Sequence, residues 1–147
     1  MLQIYTIGFS KKSLREFIKL LKNSKVTKLV DIRLNNTSQL AGYAKKDDLA
    51  YILELVQIKY THDKSLAPDR DLLDKYKKSD ITWSEYKKRY NDILSNRKIK
   101  DRINEIIGDD TPVFLCSEEK ADYCHRRLLV EYLQKHHDEE LKINHLQ

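Results

Sequence analysis

Within eleven residues, the chain offers Cys116, Glu118, Cys124, His125 and Arg126, which are two thiols, a carboxylate, an imidazole and a guanidinium. A thiolate near a helix N-terminus and cationic side chains has a lowered pKa and is a nucleophile at neutral pH. A histidine beside it can move protons as general base or acid. Cys116 or Glu118 is therefore a candidate nucleophile or base, and His125 a candidate proton carrier. The same pattern also suits a buried strand cysteine followed by a polar network that fixes a loop. One template does not fit: cysteine phosphatases and sulfurtransferases place an arginine six residues after the cysteine, and here that residue is Asp122. The Cys-x7-Cys-His spacing also differs from the usual structural zinc patterns, so no metal ligands are assigned.

A second pair stands further upstream. Asp31 and Arg33 lie two residues apart, so on a strand they share one face. An aspartate inside the apolar run Leu29-Val30-Asp31-Ile32 needs a partner when buried. Arg33 can be that partner, or it can hold a phosphate. With Arg126 near a helix start, whose free N–H groups attract anions, the two arginines are expected to bind an anionic group. Asp31 would then orient a basic partner.

These residues need elements to position them. Residues 3–7 read as a strand ending at Gly8 and Ser10, and Ser13 with Glu16 forms a capping box for the helix that follows. A second strand is expected over 26–34, a helix opening at Asp47-Asp48, and a short strand over 58–61. Helices are expected over 69–78, from a cap near Thr82, and over about 98–107 with Gly108 as the C-terminal cap. Residues 113–116 form the next strand, 123–136 the next helix and 141–146 the last strand.

Strands that alternate with helices predict a single α/β domain over 1–147, with a mostly parallel sheet of about five strands. Helices should cover both faces, with a helical insertion before the fourth strand. Ligands of such sheets bind at the carboxyl ends of strands, near a switch in strand order. Gly8, Ser10, Asp31, Arg33, His62, Asp63, Cys116 and Glu118 all fall at such ends, so they are expected to line one edge.

Composition narrows the classes. The 147 residues are long enough for one sizeable core, and 40% are apolar while 35% are charged. No apolar run approaches the ~20 residues of a membrane span. The opening Met1-Leu-Gln-Ile-Tyr lacks a signal-peptide pattern, so a cytoplasmic protein with free thiols and no membrane contact is expected. Net charge is +5, from 28 basic and 23 acidic residues, which mildly favours an anionic small molecule or nucleic acid as partner. Trp83, Tyr86, Tyr90 and Leu94 have the spacing of a core stripe. The flanking Lys87, Lys88, Arg89, Arg97, Lys98, Lys100 and Arg102 can follow a phosphate backbone, with Tyr76 or Tyr43 as a stacking surface.

Tyr5-Thr-Ile-Gly-Phe-Ser10, Leu29-Val-Asp-Ile-Arg33, Leu115-Cys-Ser-Glu118, Cys124-His-Arg126 and Ile143-Asn-His145 together resemble the domain of unknown function 488 family. The segment Leu66-Ala-Pro68 with Trp83, Tyr86 and Tyr90 also resembles the middle region of that family. Phe9 stands where the family pattern has histidine, and Asn36 and Gln39 stand where many members carry proline and arginine. The resemblance implies an α/β fold and a shared site comprising Gly8, Ser10, Asp31, Arg33, Cys116, Glu118, Cys124, His125 and Arg126. It implies no particular reaction and names no cofactor. The leading expectation is a hydrolase or transferase acting on a phosphorylated, nucleotide or nucleic-acid substrate. The alternatives are a non-catalytic nucleotide- or nucleic-acid-binding module, and an interaction protein whose polar cluster is scaffold.

Overall fold

In a computed structural model that describes residues 2–147, five parallel strands form one sheet in the order β3-β2-β4-β1-β5. The strands are β1 (Leu2–Gly8), β2 (Lys28–Asp31), β3 (Lys59–His62), β4 (Pro112–Cys116) and β5 (Leu141–Leu146). The helices are α1 (Leu14–Ser24), α2 (Lys46–Leu55), α3 (Arg70–Lys77), α4 (Trp83–Asn96), α5 (Ile103–Ile107) and α6 (His125–His136). The expected α/β class, parallel sheet and helical insertion before β4 are all present.

Strand parity builds two cores. Leu29, Val113 and Leu115 face α1 and α2, where they meet Phe17, Leu21, Leu49 and Leu53. Val30, Ile32 and Phe114 face the opposite layer, where Tyr86, Tyr90, Leu128, Leu129 and Leu133 of α4 and α6 cover them. The chain steps outward from β1 to β2 and β3, then returns to insert β4 between β2 and β1. Right-handed crossovers require steps in opposite directions to lay their helices on opposite faces. The chains leaving β2 and β4 therefore diverge, which opens a crevice at their carboxyl ends.

Local chemistry sets the boundaries. The Ser13 hydroxyl accepts from the Glu16 N–H, and the Glu16 carboxylate accepts from the Ser13 N–H, so the expected capping box is complete. Thr82 caps α4 as expected, by accepting from the Glu85 N–H. β2 ends at Asp31 rather than near residue 34, because the Asp31 carboxylate accepts from the Arg33 backbone N–H and turns the chain out of the sheet. The segment expected as one helix over 98–107 is a 3-10 turn, Ile99–Arg102, followed by the short α5. The last helix begins at His125 rather than Tyr123, since Cys124 is extended and occupies the cap position. No helix among the described residues is long and apolar enough to cross a membrane.

Candidate active site

Cys116 is the last residue of β4, and Cys124 immediately precedes α6. The turn between them brings the Cys124 thiol to 2.9 Å from Cys116 Sγ, to which it donates. His125 Nδ1 lies 3.6 Å from the same sulfur. The other ring nitrogen, Nε2, is 2.9 Å from the Ile32 carbonyl oxygen. A carbonyl only accepts, so Nε2 carries a proton and Nδ1 is aimed at the thiol. The edge of the Tyr90 ring system packs against the imidazole at 5.8 Å and fixes its tilt. All three groups are buried.

The electrostatics follow from this geometry. The hydrogen bond from Cys124 and the adjacent His125 hold Cys116 well below the ordinary thiol range, against the opposing effect of burial. Donating that bond, together with burial, pushes Cys124 well above it. Burial alone would depress His125, but the facing Cys116 sulfur and the Ile32 carbonyl keep its pKa raised. These opposed shifts favour charge separation between Cys116 and His125, with the proton retained on Cys124.

A cavity of about 410 Å³ opens over these groups. Arg33, Leu34 and Asn35 after β2, Cys116 at the end of β4, Ser117 and Glu118 beyond it, and the start of α6 line it. Tyr76, Tyr86 and Tyr123 form an aromatic wall, with Tyr76 and Tyr86 centroids 4.5 Å apart. Arg70, Leu73, Asp74 and Lys77 come from one side of α3. The three donor atoms of Cys116, Cys124 and His125 lie within 4.8 Å of one another, a set with the chemistry to hold a soft cation. Two thiolates at ~2.3 Å from a tetrahedral ion would stand roughly 3.8 Å apart. At 2.9 Å, the sulfurs stand closer together than that.

Asp31 reaches the same edge but projects to the other face of the sheet, where Arg33 reaches round to it. Asp31 shares the parity of Leu29, whereas Cys116 shares that of Phe114. Arg33 Nε and Nη2 donate to the two Asp31 carboxylate oxygens at 2.8 and 2.7 Å, and Nη2 also meets the Ala44 carbonyl. Tyr60 and Asn36 complete the shell around Asp31. Burial would raise its pKa, but the Arg33 bonds and charge outweigh that and lower it. Nε and Nη2 of Arg33 are thus engaged by Asp31 and Ala44, while Arg33 also borders the cavity.

Arg126 is likewise fully buried. Its Nη1 and Nη2 donate to the Glu118 and Glu119 carbonyls at 2.5 and 3.2 Å, and Nε donates to Thr6 Oγ1 at 3.2 Å. It pairs with no carboxylate and does not line the cavity; it ties the loop after β4 to β1. Gly8 makes that tie possible, since a β-carbon there would overlap the Glu118 carbonyl. The Ser10 N–H donates to the Ser117 carbonyl at 3.0 Å, while its side chain borders a separate shallow cleft. Glu118 itself is exposed on the cavity wall.

The family model described as "Domain of unknown function DUF488" matches residues 13–133. The chain belongs to this family. The DUF488 match covers the Asp31–Arg33 pair and the whole Cys116–Arg126 cluster, while the resembling segments at 5–10 and 143–145 lie outside it. Comparison with curated proteins and with solved structures returned no match.

Sequence reasoning missed Arg70 and Lys77, although their spacing with Leu73 and Asp74 places all of them on one helical side. Tyr86 is both core and cavity wall. Tyr76 does border the cavity, whereas Tyr43 packs on Phe17 and donates to the Phe9 and Lys12 carbonyls.

Proposed function

We propose that this DUF488 chain is a cysteine-dependent transferase or hydrolase acting on a nucleotide or nucleic-acid substrate. The observation that carries the reading is the Cys116–His125 pair at the floor of a cavity walled by tyrosines. Cys116 attacks the electrophilic centre as a thiolate. His125 Nδ1–H then gives its proton to the leaving group, with the tautomer fixed by Ile32. Tyr76, Tyr86 and Tyr123 offer faces on which a base can stack. Arg70 and Lys77 line the cavity together with Arg33 and are suited to a phosphate, in place of the buried Arg126. Glu118, exposed on the wall, is placed to accept a substrate proton.

Alkylation tests this directly. With reduced protein near neutral pH, iodoacetamide should modify Cys116 before Cys124, and adenosine monophosphate or a short single-stranded oligonucleotide should slow the reaction. A Cys116 that stays unmodified in folded protein removes the nucleophile. Protection by the oligonucleotide without any Cys116 reactivity would favour the non-catalytic binding module.

A further inference from the structure

Cys124 hydrogen-bonds the Cys116 sulfur and is also the nearest reactive neighbour of that sulfur. It is buried, it is held at the cap position of α6 by its N–H bond to the Ala121 carbonyl, and its thiol points at Cys116 Sγ from 2.9 Å. Disulfide formation requires sulfurs to approach to about 2.05 Å. The gap is under an ångström and both thiols are free. The segment between them, which carries Glu118 and Tyr123, is tethered at one end by Arg126 and at the other by α6. Cys116 is only 5% exposed and reaches solvent through the cavity, so a small oxidant reaches it and a protein disulfide does not.

We infer that Cys124 is the resolving partner of Cys116: a hydroperoxide entering the cavity oxidises Cys116, and the pair closes as a disulfide that silences the nucleophile until a thiol reductant reopens it. This rests on the reading of Cys116 as a reactive thiolate. In the first step, the Cys116 sulfur attacks the terminal oxygen of the hydroperoxide. An S–O bond forms, the O–O bond breaks, and the departing alkoxide or hydroxide takes the proton from His125 Nδ1. Cys116 is then a sulfenic acid, two electrons more oxidised. In the second step, Cys124 attacks the Cys116 sulfur. The S–S bond forms, the S–O bond breaks, and the departing hydroxide combines with the Cys124 proton as water. A small thiol reductant returns two electrons and two protons by exchange through a mixed disulfide. Closure removes the nucleophile and also pins the loop bearing Glu118 and Tyr123, so the cavity wall changes with redox state.

The experiment treats the reduced full-length chain with hydrogen peroxide, then follows intact mass, iodoacetamide-accessible thiols and peptide maps. The expected result is loss of both thiols together, a species lighter by two hydrogens, an intrachain Cys116–Cys124 peptide, and full reversal by dithiothreitol. Cys124→Ser should instead accumulate a dimedone-reactive sulfenic acid on Cys116. Persistent sulfenic or sulfinic acid on Cys116 of the unsubstituted chain, with Cys124 still a thiol, overturns the resolving role. That result leaves the reactive Cys116 of the proposed function standing. If reduced, folded protein yields neither peroxide oxidation nor alkylation at Cys116, both readings fall together. A disulfide found only between chains also overturns the inference. Because the peptide map of the unsubstituted chain is decisive, the test does not depend on any variant folding.

Discussion

Asp31 shows how a single residue is made tolerable in a core. Its carboxylate is fully buried, and Arg33, Tyr60 and Asn36 occupy its oxygens. Removing one member of a buried ion pair leaves the other charge without compensation, at a cost of about 3–5 kcal/mol. Arg33→Met should therefore be destabilised by about that amount in urea unfolding, and adding Asp31→Asn should recover part of the loss. Equal stability of the single and double variants would mean that Arg33 does not compensate Asp31. This pair was legible in the sequence, because a charge in an apolar strand with a counter-charge two residues on has few other solutions. What could not be read was its face. The parity that separates Asp31 from Cys116 follows from pairing Asp31 with Leu115, a register that local sequence does not encode.

Among the elements, α6 sets the site because its cap and first turn carry Cys124, His125 and Arg126 in succession. Consecutive helical positions point about 100° apart. His125 accordingly meets Cys116 while Arg126 turns away to the Thr6 hydroxyl and the carbonyls of the loop after β4. The Cys116–Cys124–His125 grouping was visible in sequence, since a strand end and a helix start so close in the chain must meet. The burial of Arg126 was not, because it depends on α6 crossing β1, far from it in sequence. Hydrogen bonds to a charged group contribute about 1.5–3 kcal/mol each, with incomplete additivity. Arg126→Met should cost at least about 2 kcal/mol by the same reckoning. It should also speed amide hydrogen exchange in residues 117–123 more than in β3. Uniformly faster exchange across the sheet would show that Arg126 supports the whole fold rather than this loop. The α3 wall escaped sequence reading for a related reason: its amphipathic pattern shows a polar side but not that this side closes a cavity.

At the scale of the molecule, one polar chain links β1, β5 and α6, and it is sensitive to pH. Thr6 Oγ1 lies 2.6 Å from His145 Nδ1 and accepts from Arg126 Nε. While accepting from Arg126, the Thr6 hydroxyl can donate its own proton to His145 when Nδ1 is unprotonated. Protonation would aim two N–H donors, His145 Nδ1–H and Arg126 Nε–H, at one hydroxyl oxygen. Consistently, burial and then the Arg126 charge lower the His145 pKa. A histidine with a depressed folded pKa binds fewer protons than the unfolded chain below about pH 6.5, so stability is lost as pH falls from there toward the folded value. Asp31 acts in a lower window. Its depressed pKa gives a contribution that is complete above the unfolded value of about 3.9 and is lost as pH falls through the folded one. Both groups give the same sign, so unfolding free energy should rise with pH from the acid limb to near neutrality, in two separable stages. His145→Gln should flatten the stage just below pH ~6.5 and leave the acid stage intact, while Asp31→Asn should do the reverse. Denaturant midpoints measured across that range for the three proteins check the assignment. A His145→Gln profile parallel to that of the unsubstituted chain would show that this chain of bonds does not govern the coupling between β5 and the rest of the sheet.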